Sequence, residues 1–289
     1  MRMLQPWRAL EKERGPTIRL VRMQPETGQL DWQHFSEQLS ARTKLVAVGA
    51  ASNALGTITD VRRAAELAHA LGVQASSMRC IFAPHQLVDV RGLDCDFLAC
   101  SAYKFYGPHI GILYGRQELL AALDFPKLEP APNDAPERGV ETGTQNHEGI
   151  AGTGPRSIFL HHWSREKHGG NGWPRLTLAL RNMAANSLGN YGTGWGNPGS
   201  VSFMARRLTN LGRRHRGVFT VNKIPSGVVA SPPRGEGNLL VSDGDFYAAT
   251  VVERLGLSDQ GLVRAGCACY TTVEEVERLV DGVREIARR

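Results

Sequence analysis

Apolar and polar residues alternate along the chain in short blocks that switch between two periods. Thr17 to Met23 and Thr43 to Val48 read as extended, the second as a short apolar run of the kind that forms a buried strand. Between them, Asp31 to Leu39 reads as a helix. A second helix is marked at both ends: Asp60 is a suitable N-cap, Val61, Ala64, Ala68 and Leu71 share one face, and Gly72 can take the left-handed C-terminal position. Strands follow at Asp96 to Cys100 and Gly111 to Tyr114. Short strands separated by helices predict a mostly parallel sheet with helical cover, an α/β fold.

The pattern breaks in two places. Gln74 to Ile81 lacks the β-branched and aromatic residues of a buried strand and is a poor candidate for one. From Ala151 to about Ser200 the chain is rich in glycine, as in Gly169-Gly-Asn-Gly172 and Gly189 to Gly199, and carries little periodicity. A domain boundary is expected near its start, giving residues 1–150 and 151–289. Order returns at the end. Thr272 and Glu275 form a capping box, and Val276, Leu279, Val280, Val283 and Ile286 make the apolar stripe of a last helix. No internal repeat is present.

With 289 residues and 42% hydrophobic content, the chain can bury a sizeable core. No segment approaches the roughly 20 apolar residues of a membrane span, and Met1 to Arg8 has no apolar run suited to a signal peptide, so a cytoplasmic protein with no membrane contact is expected. The five cysteines (Cys80, Cys95, Cys100, Cys267, Cys269) have neither disulfide-like nor zinc-knuckle spacing, and they are read as buried free thiols with no metal site. The formal charge of +6 is densest at Arg206-Arg207 and Arg213-Arg214-His215-Arg216. Without interleaved aromatics this run is read as a solvated face, not a nucleic-acid groove.

One segment carries a chemical suggestion. Asp96 to Pro108 runs from an apolar strand into a polar turn that holds a single lysine, Lys104. A strand end of this kind can present a buried amine to an aldehyde, and desolvation, by lowering the lysine pKa, would make it available as a Schiff-base nucleophile. Spacing alone favours an ordinary loop lysine.

Ser101-Ala-Tyr-Lys-Phe-Tyr-Gly-Pro108 resembles the Ser-Gly-His-Lys-x-x-Gly-Pro signature of cysteine desulfurases, within the class V aminotransferase family. Other blocks agree in order: Ala51-Ser-Asn-Ala-Leu-Gly-Thr57, Leu93-Asp-Cys-Asp-Phe97, Glu141-Thr-Gly-Thr-Gln-Asn146, Asp243-Gly-Asp-Phe-Tyr-Ala248, and Arg264 followed by Tyr270 to Glu275. The resemblance implies a pyridoxal 5'-phosphate (PLP) enzyme of fold type I. Its large domain is a mostly parallel sheet flanked by helices, here incomplete, and its smaller C-terminal domain is α+β. A homodimer acting on a small amino acid is implied. Lys104 would carry the cofactor as a Schiff base, Asn53 would bond the ring hydroxyl, Ser101 would help hold the phosphate, and Thr144 would reach the phosphate across the dimer. Arg264 would grip the substrate carboxylate, for which a planar fork of donors is suited. Each has a plain structural alternative: a turn at Asn53, a cap at Ser101, a bend at Thr144 and a surface ion pair at Arg264.

Three departures stand against this pattern. Family members have a sizeable preceding segment with a glycine- and threonine-bearing phosphate loop and a ring-stacking residue, so the chain is expected to be N-terminally truncated relative to them. Where the family has an aspartate for the pyridinium nitrogen, this chain has Met78, followed by Arg79, Cys80 and Ile81. One choice of codons for Ala75 to Ile81, GCG TCT TCG ATG CGG TGC ATT, read two bases later encodes Val-Phe-Asp-Ala-Val-His, as in the family. A compensated frameshift is the hypothesis, and the genomic sequence tests it. Finally, Val241 to Val263 lacks the nucleophilic cysteine that desulfuration needs. The alternative function is a catalytically impaired remnant of the family with a structural or interaction role.

Overall fold

The computed structural model describes residues 4–78, 88–124, 144–154, 201–203, 216–221, 224–231, 241–266 and 272–287. The expectations placed on residues 79–81, 155–200 and 206–215, and on Cys267 and Cys269, lie outside them. The chain divides into two compact units, one of Leu39–Ala50 and Asp60–Pro174, the other of Met1–Gln38, Ala51–Thr59 and Arg175–Arg289.

The first unit is built on a four-stranded sheet of order β1-β2-β3-β4, from Leu45–Gly49, Gln74–Met78, Phe97–Ser101 and Gly111–Gly115. β1, β2 and β3 run parallel, with Val46 opposite Ala75 and Ser77 opposite Leu98, and β4 is antiparallel to β3. The expected helix spans Val61–His69, capped by the Asp60 carboxylate on the Arg63 N–H at 3.0 Å, and buries Val61, Ala64, Ala65 and Ala68. Gly72 has φ +68°, as its C-terminal role requires. Leu71 departs from the expectation: it lies past the helix end and is 49% exposed, because the chain has left the helical period by then.

Gln74 to Met78 is a strand after all. Between β1 and β3 its backbone finds ladder partners on both sides, and this tertiary pairing overrides weak local preference. The poor sequence leaves a trace. Ser77 is only 1% exposed, and among the described residues its Oγ has no hydrogen-bond partner.

Charged groups tie the strand ends of this unit together. Asp96, just before β3, is 5% exposed; its Oδ2 accepts from the Ala75 N–H at 2.7 Å and lies 2.8 Å from His69 Nε2. Arg116 donates from NH2 to Asp94 Oδ1 at 2.6 Å. Its Nε lies 2.9 Å from Asp96 Oδ1 but outside hydrogen-bonding alignment, so that contact is an ion pair only. The Arg116 bond holds the Asp94 carboxyl below the usual carboxylate range.

The second unit is built on an antiparallel sheet of order β5-β6-β8-β7, from Val201–Phe203, Arg216–Val221, Ser242–Gly244 (β7) and Leu262–Gly266 (β8). Alternation along β6 and β8 separates two apolar clusters. Phe219, Val221 and Val263 pack with Val229 of the helix Ser226–Ala230 and with Val283 and Ile286 of the last helix, Val273–Ala287. Val218 and Leu262 pack instead with Val252 of the helix Ala249–Arg254 and with Ala54 and Leu55. The capping box forms as expected, with the Thr272 N–H on Glu275 Oε2 at 2.9 Å and the Glu275 N–H on Thr272 Oγ1 at 3.3 Å.

The helix expected near Asp31 spans Trp32–Gln38, its first turn held by the Asp31 carboxylate on the His34 N–H at 3.0 Å. Thr17 to Met23, expected as a strand, forms only an isolated bridge between Met23 and Leu30. The neighbouring Arg22 N–H goes to His34 Nδ1 and the Arg22 carbonyl accepts from the Asp31 N–H, so those groups are engaged in a local loop and not in a sheet.

Candidate active site

Lys104 lies on a single 3₁₀ turn, Ala102–Phe105, entered directly from β3. The turn closes through Tyr106 at φ +69°, with the Gly107 N–H donating to the Ala102 carbonyl at 2.9 Å. Gly107 suits this close approach: a Cβ would stand 3.0 Å from both the Ala102 Cβ and its carbonyl oxygen, tighter than most Cβ contacts. Ala102 is buried and anchors the turn, while Lys104 is exposed with its Nζ 4.8 Å from the Tyr103 ring centroid. Tyr103 in turn stacks on His109, centroids 4.8 Å apart and planes 17° from parallel. The result is a primary amine on a short turn at the C-terminal end of a parallel strand, where α/β sheets present their reactive groups.

Ser101 ends β3 and takes the N-cap position of that turn without a capping hydrogen bond from its hydroxyl. Thr144 is exposed in a bend of the same unit, shortly before the helical residues 147–154, whose first turn is capped by Asn146 Oδ1 on the Gly149 N–H at 2.8 Å.

In the other unit, alternation along β8 puts Arg264 on the face of Leu262, and this brings it to Asn53 and Phe246. Arg264 NH1 donates to the Asn53 carbonyl at 3.1 Å and to Asn53 Oδ1 at 3.0 Å. Asn53 Nδ2 donates to the Phe246 carbonyl at 3.1 Å, and the Arg264 guanidinium carbon lies 4.1 Å from the Phe246 ring centroid. Asn53 itself sits in a tight turn in which the Ser52 carbonyl accepts from the Gly56 N–H at 3.0 Å. Asn53 thus has both a turn role and a side-chain role within the chain. Burial pulls Arg264 below the ordinary arginine value, and among the described residues no carboxylate offsets this. The guanidinium remains charged at neutral pH, a partly desolvated cation without an acidic partner among the described residues.

The model of the class V aminotransferase family matches residues 3–167. The chain belongs to the class V aminotransferase family. Among curated relatives, a cysteine desulfurase of Dickeya dadantii is 30% identical over 98% of this chain and 67% of its own length. One from Synechococcus elongatus is 31% identical over 97% of the chain and 44% of its own length. The apo structure of a cysteine desulfurase from Thermococcus onnurineus superposes with a TM-score of 0.81 at 25% identity, covering 99% of this chain and 70% of that one. The cysteine desulfurase CsdA of Escherichia coli shares the fold, with a TM-score of 0.74 at 24% identity. This class V aminotransferase chain therefore has the PLP fold type I architecture and spans about two thirds of the Dickeya relative.

Members of the family depend on PLP. Lys104 is exposed and not buried as expected, because the Ala102–Phe105 turn carries it out from the end of β3; the amine is open to that aldehyde, without activation by burial. The C-terminal end of β2 fits it less well: Met78 stands there, pairing in register with Gly49 and Ala99, and a thioether offers no charge to a pyridinium.

Phe246 as a partner of Arg264, the Tyr103–His109 stack and Asp96 as the hub of a charge network were not legible in the residue pattern. Phe246 had a signal, since Asp245 two residues before Tyr247 is an Asx-turn pattern; its Oδ1 accepts the Tyr247 N–H at 2.8 Å.

Proposed function

We propose that the chain is a PLP-dependent enzyme acting on a small amino acid, with Lys104 attaching the cofactor and Arg264 receiving the substrate carboxylate. The observation that carries this reading is Arg264, half-buried, oriented by Asn53 and Phe246, and unmatched by any acid among the described residues. A carboxylate reaching the donors that Asn53 does not use would complete a charge-assisted pair. Bound PLP supplies an electron sink for bond cleavage at the substrate α-carbon. The chain's own part is to present an amine on the Ala102–Phe105 turn and to hold a cation, oriented by Asn53, for the carboxylate.

The same reading takes the protein as a cytoplasmic homodimer. In it Asn53, whose amide carries a second N–H beside the one given to Phe246, would bond the ring hydroxyl, and Ser101 and, from across the dimer, Thr144 would hold the phosphate. Residues 1–150 form the later part of the large domain and 151–289 the small one. Desulfuration, the activity in the names of the relatives, needs a nucleophilic cysteine that Val241 to Val263 lacks, so the substrate class is kept at a small amino acid.

Met78 supports a second reading, a catalytically impaired member of the family. Visible spectroscopy separates the two. Addition of PLP to the purified chain is expected to give an absorption band that Lys104→Ala abolishes. A band of unchanged intensity in Lys104→Ala overturns the assignment of the amine. No band in the wild-type chain, but a Lys104-dependent band in Met78→Asp, selects the impaired reading.

A further inference from the structure

Phe246 and Tyr247 adopt φ values of +53° and +61°, two consecutive left-handed residues of which neither is glycine. Side chains with a Cβ avoid this region, and bulky ones do so most strongly, so such a turn persists only when its surroundings hold it. Several contacts do so. Asp245 accepts the Tyr247 N–H with its carboxylate and the Ala248 N–H with its carbonyl, each at 2.8 Å. Asn53 Nδ2 bonds the Phe246 carbonyl at 3.1 Å, and the Phe246 ring packs against the cluster of Ala54, Leu55, Val218, Val252 and Leu262 while its face meets Arg264 at 4.1 Å.

A ring needed only to fill that cluster could be supplied by a residue with relaxed backbone. The left-handed turn does something further: it aims the ring face at the guanidinium, while Asn53 bridges the two by bonding the Phe246 carbonyl with one end of its amide and Arg264 NH1 with the other. With one face stacked and one nitrogen engaged, the guanidinium loses rotation about its long side chain before any ligand arrives. Affinity for a planar anion rises when that ordering is already in place.

We propose that Phe246 is a positioning residue that, through its left-handed turn and its ring stacked on Arg264, fixes the guanidinium plane for a single carboxylate. The proposal rests on the reading of Arg264 as the carboxylate site.

The discriminating variant is Phe246→Gly, because glycine removes the ring but relieves the backbone strain. Three properties of the full chain are measured: the urea midpoint, the calorimetric affinity for L-alanine with ethylamine as the control lacking a carboxylate, and the rate of Arg264 modification by phenylglyoxal followed by peptide mass spectrometry. The expected result is a midpoint unchanged or raised, L-alanine binding about five- to tenfold weaker, in line with loss of a partly desolvated cation–π contact, and faster modification of Arg264. Phe246→Tyr keeps the ring and is expected to retain wild-type affinity and modification rate. Wild-type affinity and modification rate in Phe246→Gly overturn the proposal. So does a fall in midpoint in Phe246→Gly with Arg264 modified at the wild-type rate, which would make the ring core filling alone. If L-alanine does not bind the wild-type chain, the carboxylate reading fails, and the two modification rates then decide positioning by themselves.

Discussion

Arg116 in the unit built on β1 to β4 lies against two aspartates, while Arg264 in the unit built on β5 to β8 has an amide and an aromatic ring and no carboxylate among the described residues. Arg116 directly follows β4 and Arg264 lies in the middle of β8, yet the first closes its charge within the chain and the second leaves it open among the described residues. A closed network stabilises the fold that contains it, whereas an open, partly desolvated cation costs folding free energy and is of use only to a ligand. The contrast predicts that charge changes around Arg116 are read in stability, and changes at Arg264 chiefly in binding.

The largest effect is expected at Asp96. Removing its carboxylate leaves the Ala75 N–H without its acceptor, strips His69 of a close partner and takes one of two acids from Arg116. Asp96→Ala should therefore cost about 3–5 kcal/mol, as for a broken buried pair, seen as a lowered midpoint in urea unfolding. A loss under about 1 kcal/mol, the size of an exposed pair, would erase the distinction between the two units.

Next in size, and opposite in sign, is Ser77. Its buried hydroxyl has no partner among the described residues, so Ser77→Ala is expected to raise stability by about 1–2 kcal/mol by removing an uncompensated desolvation. This sharpens the comparison, because it separates polar groups that the parallel sheet uses from one it merely tolerates. A destabilised Ser77→Ala would mean that the hydroxyl has a partner after all.

Ser77 also shows where the sequence ceased to be readable. Elements with local markers were legible: the Asp60 cap, the apolar run of β1 and the Thr272–Glu275 capping box each report a structure settled within a few residues. β2 was not, because its strand conformation comes from neighbours on both sides and not from Gln74-Ala-Ser-Ser-Met itself. Thr17 to Met23 failed for the converse reason, since a β-like composition met His34 and Asp31 in place of a strand. At the site, motif order pointed to Lys104, Asn53 and Arg264, but the stack of Phe246 on Arg264 depends on a left-handed turn that no pattern of apolar spacing encodes.

For Arg264 the expected change in stability is smaller. Arg264→Gln removes a desolvated charge and keeps a donor for Asn53, so the two effects oppose and the urea midpoint should stay within about 1 kcal/mol of wild type. L-alanine binding, by contrast, should be lost. A loss of several kcal/mol in stability with binding intact would reverse the comparison and make Arg264 the structural cation.

The smallest effect tests the closed network by pH. Arg116 holds the Asp94 carboxyl below its ordinary range, so the folded pKa is below the unfolded value of about 3.9. A depressed folded pKa gives stability that is fully present above the unfolded value and is lost as pH falls through the folded one. Because the Asp94 side chain is half exposed, solvent screening limits this to less than about 1 kcal/mol. Asp94→Asn is the suitable probe, since Asn tolerates the backbone φ of +54° and removes only the titrating charge. The stability difference between wild type and Asp94→Asn should be constant from about pH 7 to pH 5 and shrink as the pH falls below about 4. A difference that does not shrink at all as the pH falls below the unfolded value of about 3.9 and through the depressed folded one would show that Asp94 contributes through hydrogen-bond geometry and not through charge. In that case the two arginines differ in packing alone.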